Sequence, residues 1–394
     1  MIAAAERLEL QTREEVEVLP QILVETPTLE GNRLDDYIVA FRSLTQLAEA
    51  NYEEGAKFER LFIHDLGYAG EPPLTDEEVN DFQATKAMRN IVASLRKGAS
   101  RKNASFRVED LAEPFVMDDM FQGVMEMRLL WLDLGRAWTS DGTGDEAIDL
   151  FAAYSQAGCD LILMGDYLAY SGGLWLCASA GGLHGVFGKG ESHAFSVEQR
   201  LRIDRILERI EPCFLELENR HTRDLQGARE HLLEVVGELG LGSSAGDEMS
   251  WELAAKLDDL FLTPVVEMEK LDAELDAMFS LPLEQAMIEI DAFEELIMKQ
   301  SPMTRMIWPA SQDMYEQTAL ALVALRTTRF ANALLIDEAR RPVVEPPLAG
   351  RFEILPSDGA PHVRWIGTLA VERPRKYTVL WAREGGYTDH GQDD

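Results

Sequence analysis

Residues 167–187 read YLAYSGGLWLCASAGGLHGVF, and this run decides how the rest of the chain is read. It holds no Asp, Glu, Lys or Arg in a chain that is 27% charged. Five glycines lie inside it. An uncharged segment of this length can span a bilayer. Its small residues favour another reading, in which helix backbones approach closely and the run is buried between helices. Asp160 and Asp166, just before it, point the same way.

The flanking sequence supplies the cover. Upstream, LWLDLGRAW ends at Trp138, a Gly/Asp turn follows, and GDEAIDLFAAYSQAGCDLILMG continues at helical period. Residues 131–187 are therefore expected to form a helix hairpin followed by a buried apolar helix. Before it, Leu34, Ile38, Phe41, Leu44 and Leu47 mark a helix to about Tyr52. Thr75-Asp-Glu-Glu78 is a capping box, and the helix it opens carries Val79, Phe82, Met88, Ile91, Val92 and Leu95.

After the run, Ser196-Val-Glu-Gln199 is a second capping box. It opens a long amphipathic helix through Leu201, Ile203, Ile206, Leu207, Ile210 and Phe214, bent at Pro212. The Gly/Ser-rich stretch 237–250 reads as a linker. Helices are expected over 251–261, 264–279, 282–299 and 311–338. Beyond RRPVVEPPLAG, the segments RFEIL, HVRWIGTLA and KYTVLWA are short, aromatic and β-branched, which predicts a three-stranded meander. Three strands need helices to pack against. The last residues, GGYTDHGQDD, read as a frayed acidic tail.

The expected fold is mainly α: stacked antiparallel helix hairpins with a small C-terminal three-stranded β meander. The expected organisation is a helical domain over 1–240, a second helical segment packed on it over 251–340, and the β appendage with its tail over 341–394.

Composition narrows function. At 46% hydrophobic residues the 394-residue chain can bury a core. Its net charge of −33 repels phosphates, so no nucleic-acid partner is expected; a basic protein partner is. Cys159, Cys177 and Cys213 cannot all pair and read as buried free thiols. The opening MIAAAERLELQTREEVEVLP has neither a basic n-region nor an apolar h-region. The expected location is cytoplasmic, or extracytoplasmic if an N-terminal anchor belongs to the protein.

Motifs for chemistry are sparse. Gly242-Ser-Ser244-Ala-Gly246 matches GxSxG, but a helical pattern precedes it where a strand is required, so it reads as linker. Ser94-Leu-Arg-Lys97 matches SxxK without its companion motifs. GLHGVFGK, 182–189, departs from the phosphate-loop spacing, and Gly190 stands where Ser or Thr would bind magnesium. Glu218 and His221 form one ExxH pair, whereas a dimetal bundle needs two pairs and two more carboxylates. They are the candidate metal ligands, and no cofactor is expected. RKGASRKNASFR, 96–107, is the one sizeable basic island. Arg96, Lys97, Arg101 and Lys102 are its candidate partner contacts; the alternative is a solvated loop offsetting nearby acids.

Leu134-Gly135-x-Ala137-Trp138 followed by Gly144-Asp145-Glu146-Ala147-Ile148 resembles one tetratricopeptide repeat, with small residues at the helix crossing. More broadly, LRKGASR, GDEAIDLF, SVEQRLRIDRIL, ALALVALRTTRFA and KYTVLWAREGGYTDHG resemble a group of uncharacterised helical proteins common in planctomycete-type bacteria. That resemblance implies a helical fold and, in most members, an N-terminal membrane anchor; it implies no activity. The function expected from these features is a non-catalytic protein-binding or scaffolding module with an acidic helical surface. The alternatives are a hydrolase or metalloenzyme without a legible motif, and a membrane-active protein using 167–187.

Overall fold

A computed structural model describes residues 17–18, 22–23, 29–54, 86–106, 144–164, 167–178, 195–215, 217, 251–307, 311–355, 362–367, 377–378 and 389–390. Among them the chain is mainly helical, with short strands. The helices are α1 (Arg33–Glu54), α2 (Lys86–Ala99), α3 (Gly144–Met164), α4 (Tyr167–Ala178) and α5 (Val197–Phe214). They continue with α6 (Trp251–Phe279), α7 (Leu283–Ile297), α8 (Pro302–Ile307) and α9 (Ser311–Leu334). No helix among the described residues is long and apolar enough to cross a membrane.

The first part of the uncharged run, Tyr167–Ala178, is α4, and it packs closely on α3. Tyr170, Leu174, Leu176 and Cys177 are buried in the core. Glycine makes the approach possible. A Cβ added at Gly173 would lie 2.5 Å from the Gly158 carbonyl oxygen and 2.8 Å from the Ile162 nitrogen. At Gly158 it would lie 2.5 Å from Cys177 Sγ. The other side of α4 meets α9, where the Tyr170 and Thr318 hydroxyls hydrogen-bond. Residues 179–187 and the upstream helix of the expected hairpin lie outside the described residues.

The capping box at Ser196 forms as expected. Its Oγ accepts from the Gln199 backbone N–H, and the Gln199 side chain accepts from the Ser196 N–H. The same glutamine reaches Asp145 on α3 at 3.0 Å. Pro212 sits in the last turn of α5. Along its other face α5 packs on α9 through charge: Arg329 is held by Asp204, and Arg326 by Glu211 at 2.6 Å.

Four expectations are corrected. The basic island is a helix end and two strands, not a loop. Arg96 to Ala99 close α2, β3 (Arg101–Asn103) pairs in parallel with β2 (Leu29–Asn32), and β4 (Ser105–Phe106) pairs with β1 (Glu17–Val18). Lys97 and Arg101 pair with Asp36, and Lys102 with Glu30. Helices 251–261 and 264–279 are one helix, α6, with Pro264 inside it. Proline removes one backbone donor, and the surrounding turns carry the helix across the gap. The helix expected over 311–338 stops at Leu334, with a 3-10 turn at Glu338–Arg340.

Where a three-stranded meander is expected, the described residues form a two-stranded antiparallel hairpin, β5 (Arg351–Leu355) with β6 (His362–Ile366). Tyr377–Thr378, β7, takes its backbone partners from Asp389–His390, β8, within the segment read as a frayed tail. The rest of the KYTVLWA segment lies outside the described residues. The hairpin rests on α9, as two strands must rest on something. Phe352 stacks on Phe330 at 4.4 Å, and Trp365 is fully buried with its Nε1 donating to the Pro347 carbonyl at 3.0 Å.

Candidate functional site

Two surface features stand out, of opposite charge. The first lies on α6 and α7. Residues 271–298 contain eight Asp and Glu and no Lys, Arg or His. The apolar stripe Ala286, Met287, Ile290, Phe293 and Ile297 turns into the core. The period of 3.6 then places Glu289, Asp291 and Glu295 outside, where they are exposed. Two large apolar side chains share that outer side: Ile288 is 57% exposed and Met298 64%. Glu274 and Asp276 on α6 are exposed as well. An acidic face holding isolated apolar side chains suits a cationic, partly apolar partner surface.

The second is a cleft of about 480 Å³ where α2, α3 and α5 meet. Arg96 enters from α2, and Arg202, Arg205 and Arg209 from α5. Asp149 of α3 is the one acid among the described residues of the lining. Ala152, Ala153 and Ile206 supply an apolar floor. Three of these arginines have identified partners. Arg202 pairs with Asp149, Arg205 Nε donates to the Leu201 carbonyl at 3.3 Å, and Arg96 donates to the Glu146 carbonyl at 3.2 Å.

The basic-island residues divide. Arg96 lines this cleft. Lys97 and Arg101 both bind Asp36, which joins α2 and β3 to α1. Burial pulls the Asp36 carboxyl upward, but the hydrogen bonds from Arg101 and Lys97 outweigh it and hold the group below the usual range. Lys102 pairs with Glu30, and Arg101 also donates to the Glu30 carbonyl. Glu218 and His221 lie outside the described residues, as do the GxSxG serine and the glycine-rich segment 182–189. Ser94 and Lys97 are on α2.

Arg202, Arg205 and Arg209 were not singled out in the sequence, although their i, i+3, i+7 spacing puts them on one helix face. That was the available signal. What the sequence could not give was the partner helix α2, which brings Arg96 to them from about a hundred residues away.

Among the described residues, no group of three or more His, Cys, Asp or Glu is placed to hold a metal ion. Cys159, Cys177 and Cys213 are free and buried, and burial pushes the Cys159 thiol far above its ordinary range. An inert thiol is the chemical consequence. No family model matches the chain, and no curated protein or solved structure is significantly similar to it.

Proposed function

We propose that this chain is a non-catalytic protein-binding or scaffolding module, and that its partner is a basic protein received on the outer face of α6 and α7. In this reading the helices stack as antiparallel hairpins, as tetratricopeptide-like modules do, and the stack serves to hold that face rigid. The observation that carries the reading is the charge distribution of 271–298, eight acids without one base, around exposed Ile288 and Met298. Charge steers encounter with a cationic surface, and the two apolar side chains give the contact a desolvated centre.

The test is photo-crosslinking in native cells from a reactive analogue placed at Ile288. A matched sample carries the analogue at Val39, which is 54% exposed on α1. The reading expects a discrete protein of net positive charge to be captured from position 288 and not from position 39. Equal capture from both positions, or capture of acidic proteins, contradicts it.

A further inference from the structure

We propose that the basic partner presents an α-helix, seated along α7 on the line Gln285, Ile288, Ala292 and Glu295. The proposal rests on the reading of the α6–α7 face as protein-binding and adds to it the shape of the partner. All four side chains are exposed. They recur at i, i+3, i+7 and i+10, the spacing at which one helix meets another along a shared seam. The line runs about 15 Å down the helix axis, nearly three turns.

Each position has its own chemistry. Ile288, 57% exposed, is an apolar knob. Ala292, one turn on, is small, and a second helix can approach closely over it. Glu289 lies beside the line and Glu295 ends it; neither has an ion pair or hydrogen bond among the described residues. Both are therefore open to Lys or Arg side chains of a partner. Met298, 64% exposed at the end of α7, adds apolar surface beyond Glu295. An extended segment repeats its contacts every two residues and seeks an open strand edge for its backbone groups, which a helix does not offer. A partner helix satisfies its own backbone and brings apolar and basic side chains at the period of 3.6 that this line has.

The test is fluorescence-anisotropy titration of the full chain with two labelled peptides of about 20 residues, identical in composition and built from Leu, Lys and Ala. One places Leu and Lys at the helical period; the other alternates them at period two. The helical-period peptide should bind about tenfold more tightly than its isomer. Ala292→Glu separates seating from general attraction. It adds an acid, so attraction by charge alone would strengthen binding, whereas a helix seated on Ala292 is displaced and binding falls by about tenfold. Glu289→Gln/Glu295→Gln should weaken binding more than Glu338→Gln/Glu345→Gln, which removes the same charge from exposed positions outside the face. Circular dichroism checks the fold of each variant, and should one unfold, the two isomers on the parent chain decide. Equal affinity for the isomers, no binding of either, tighter binding in Ala292→Glu, or equal loss in the two double variants overturns the proposal. Its failure is distinguishable from failure of the underlying reading: a basic protein captured from position 288, with the isomers bound equally, keeps that reading and removes only the helix.

Discussion

The Arg33 guanidinium grips the Asp160 carboxylate with two hydrogen bonds, of 2.8 Å and 3.0 Å, and neither side chain reaches solvent. This pair joins the start of α1 to the C-terminal part of α3. Gln156, one turn earlier on α3, donates to the same carboxylate at 3.0 Å and accepts the backbone N–H groups of Ile22 and Leu23. The backbone at Ile22 and Leu23, α1 and α3 are thus fixed at one buried polar point.

Removing one partner leaves the other charge buried and uncompensated. Asp160→Leu or Arg33→Met alone should therefore cost about 3–5 kcal/mol. The double variant should cost less than the sum of the two, since no lone charge remains. Urea unfolding of the three variants measures this, and strict additivity would count against the pairing.

The closest helix approach gives a second expectation. Gly173 faces the Gly158 carbonyl with no room for a methyl group. Gly173→Ala should destabilise by about 1–3 kcal/mol through overpacking, although alanine is the better helix former. The sign separates the two effects: a gain in stability would mean that α3 and α4 are not in contact here.

These two features also mark what was legible in the sequence. The burial of Tyr170, Leu174, Leu176 and Cys177 followed from the lack of charge and the glycines around them, and the Ser196 box from local chemistry alone. Arg33 and Asp160 stand 127 positions apart, and nothing local to either announces the other. The turn at Pro347 was invisible for a similar reason. EPPLAG reads as a boundary, yet Leu348 and Ala349 both adopt positive φ, 54° and 48°. That turn is closed by Gly350 donating to the Pro347 carbonyl at 3.0 Å and tied to α7 by Ala349 donating to Glu284 at 2.6 Å. Tertiary contacts hold a conformation that these residue types disfavour locally.

Relief of that strain is a third prediction. Glycine occupies positive φ without the Cβ penalty, so Ala349→Gly should raise stability by about 1 kcal/mol or leave it unchanged. At an ordinary φ the same change would lower stability by a similar amount. Thermal unfolding decides between them.

Acid sensitivity is a fourth. Burial raises the Glu267 carboxyl, but hydrogen bonds from Thr304 and Ser301 outweigh it and hold the group below its ordinary value, as Asp36 is held by Arg101 and Lys97. For both, the unfolded chain binds a proton more readily than the native one. Their contribution is therefore present above about pH 4 and lost as pH falls below it. Burial pushes Asp160 up to about 6 against Arg33 and Gln156. Its linkage has the opposite sign and acts between about pH 4 and 6, favouring the native state as it takes up a proton. Urea midpoints for Asp36→Asn should fall less steeply than the parent's below about pH 4.

The central claim is that the acidic face of α6 and α7 receives a basic protein. Its most direct measurement is the affinity of the captured partner for the parent chain and for the folded triple variant Glu289→Lys/Asp291→Lys/Glu295→Lys, at two salt concentrations. The account predicts at least a tenfold loss in the variant, with the parent's affinity falling as salt rises. Equal affinity for both chains, unchanged by salt, would contradict it.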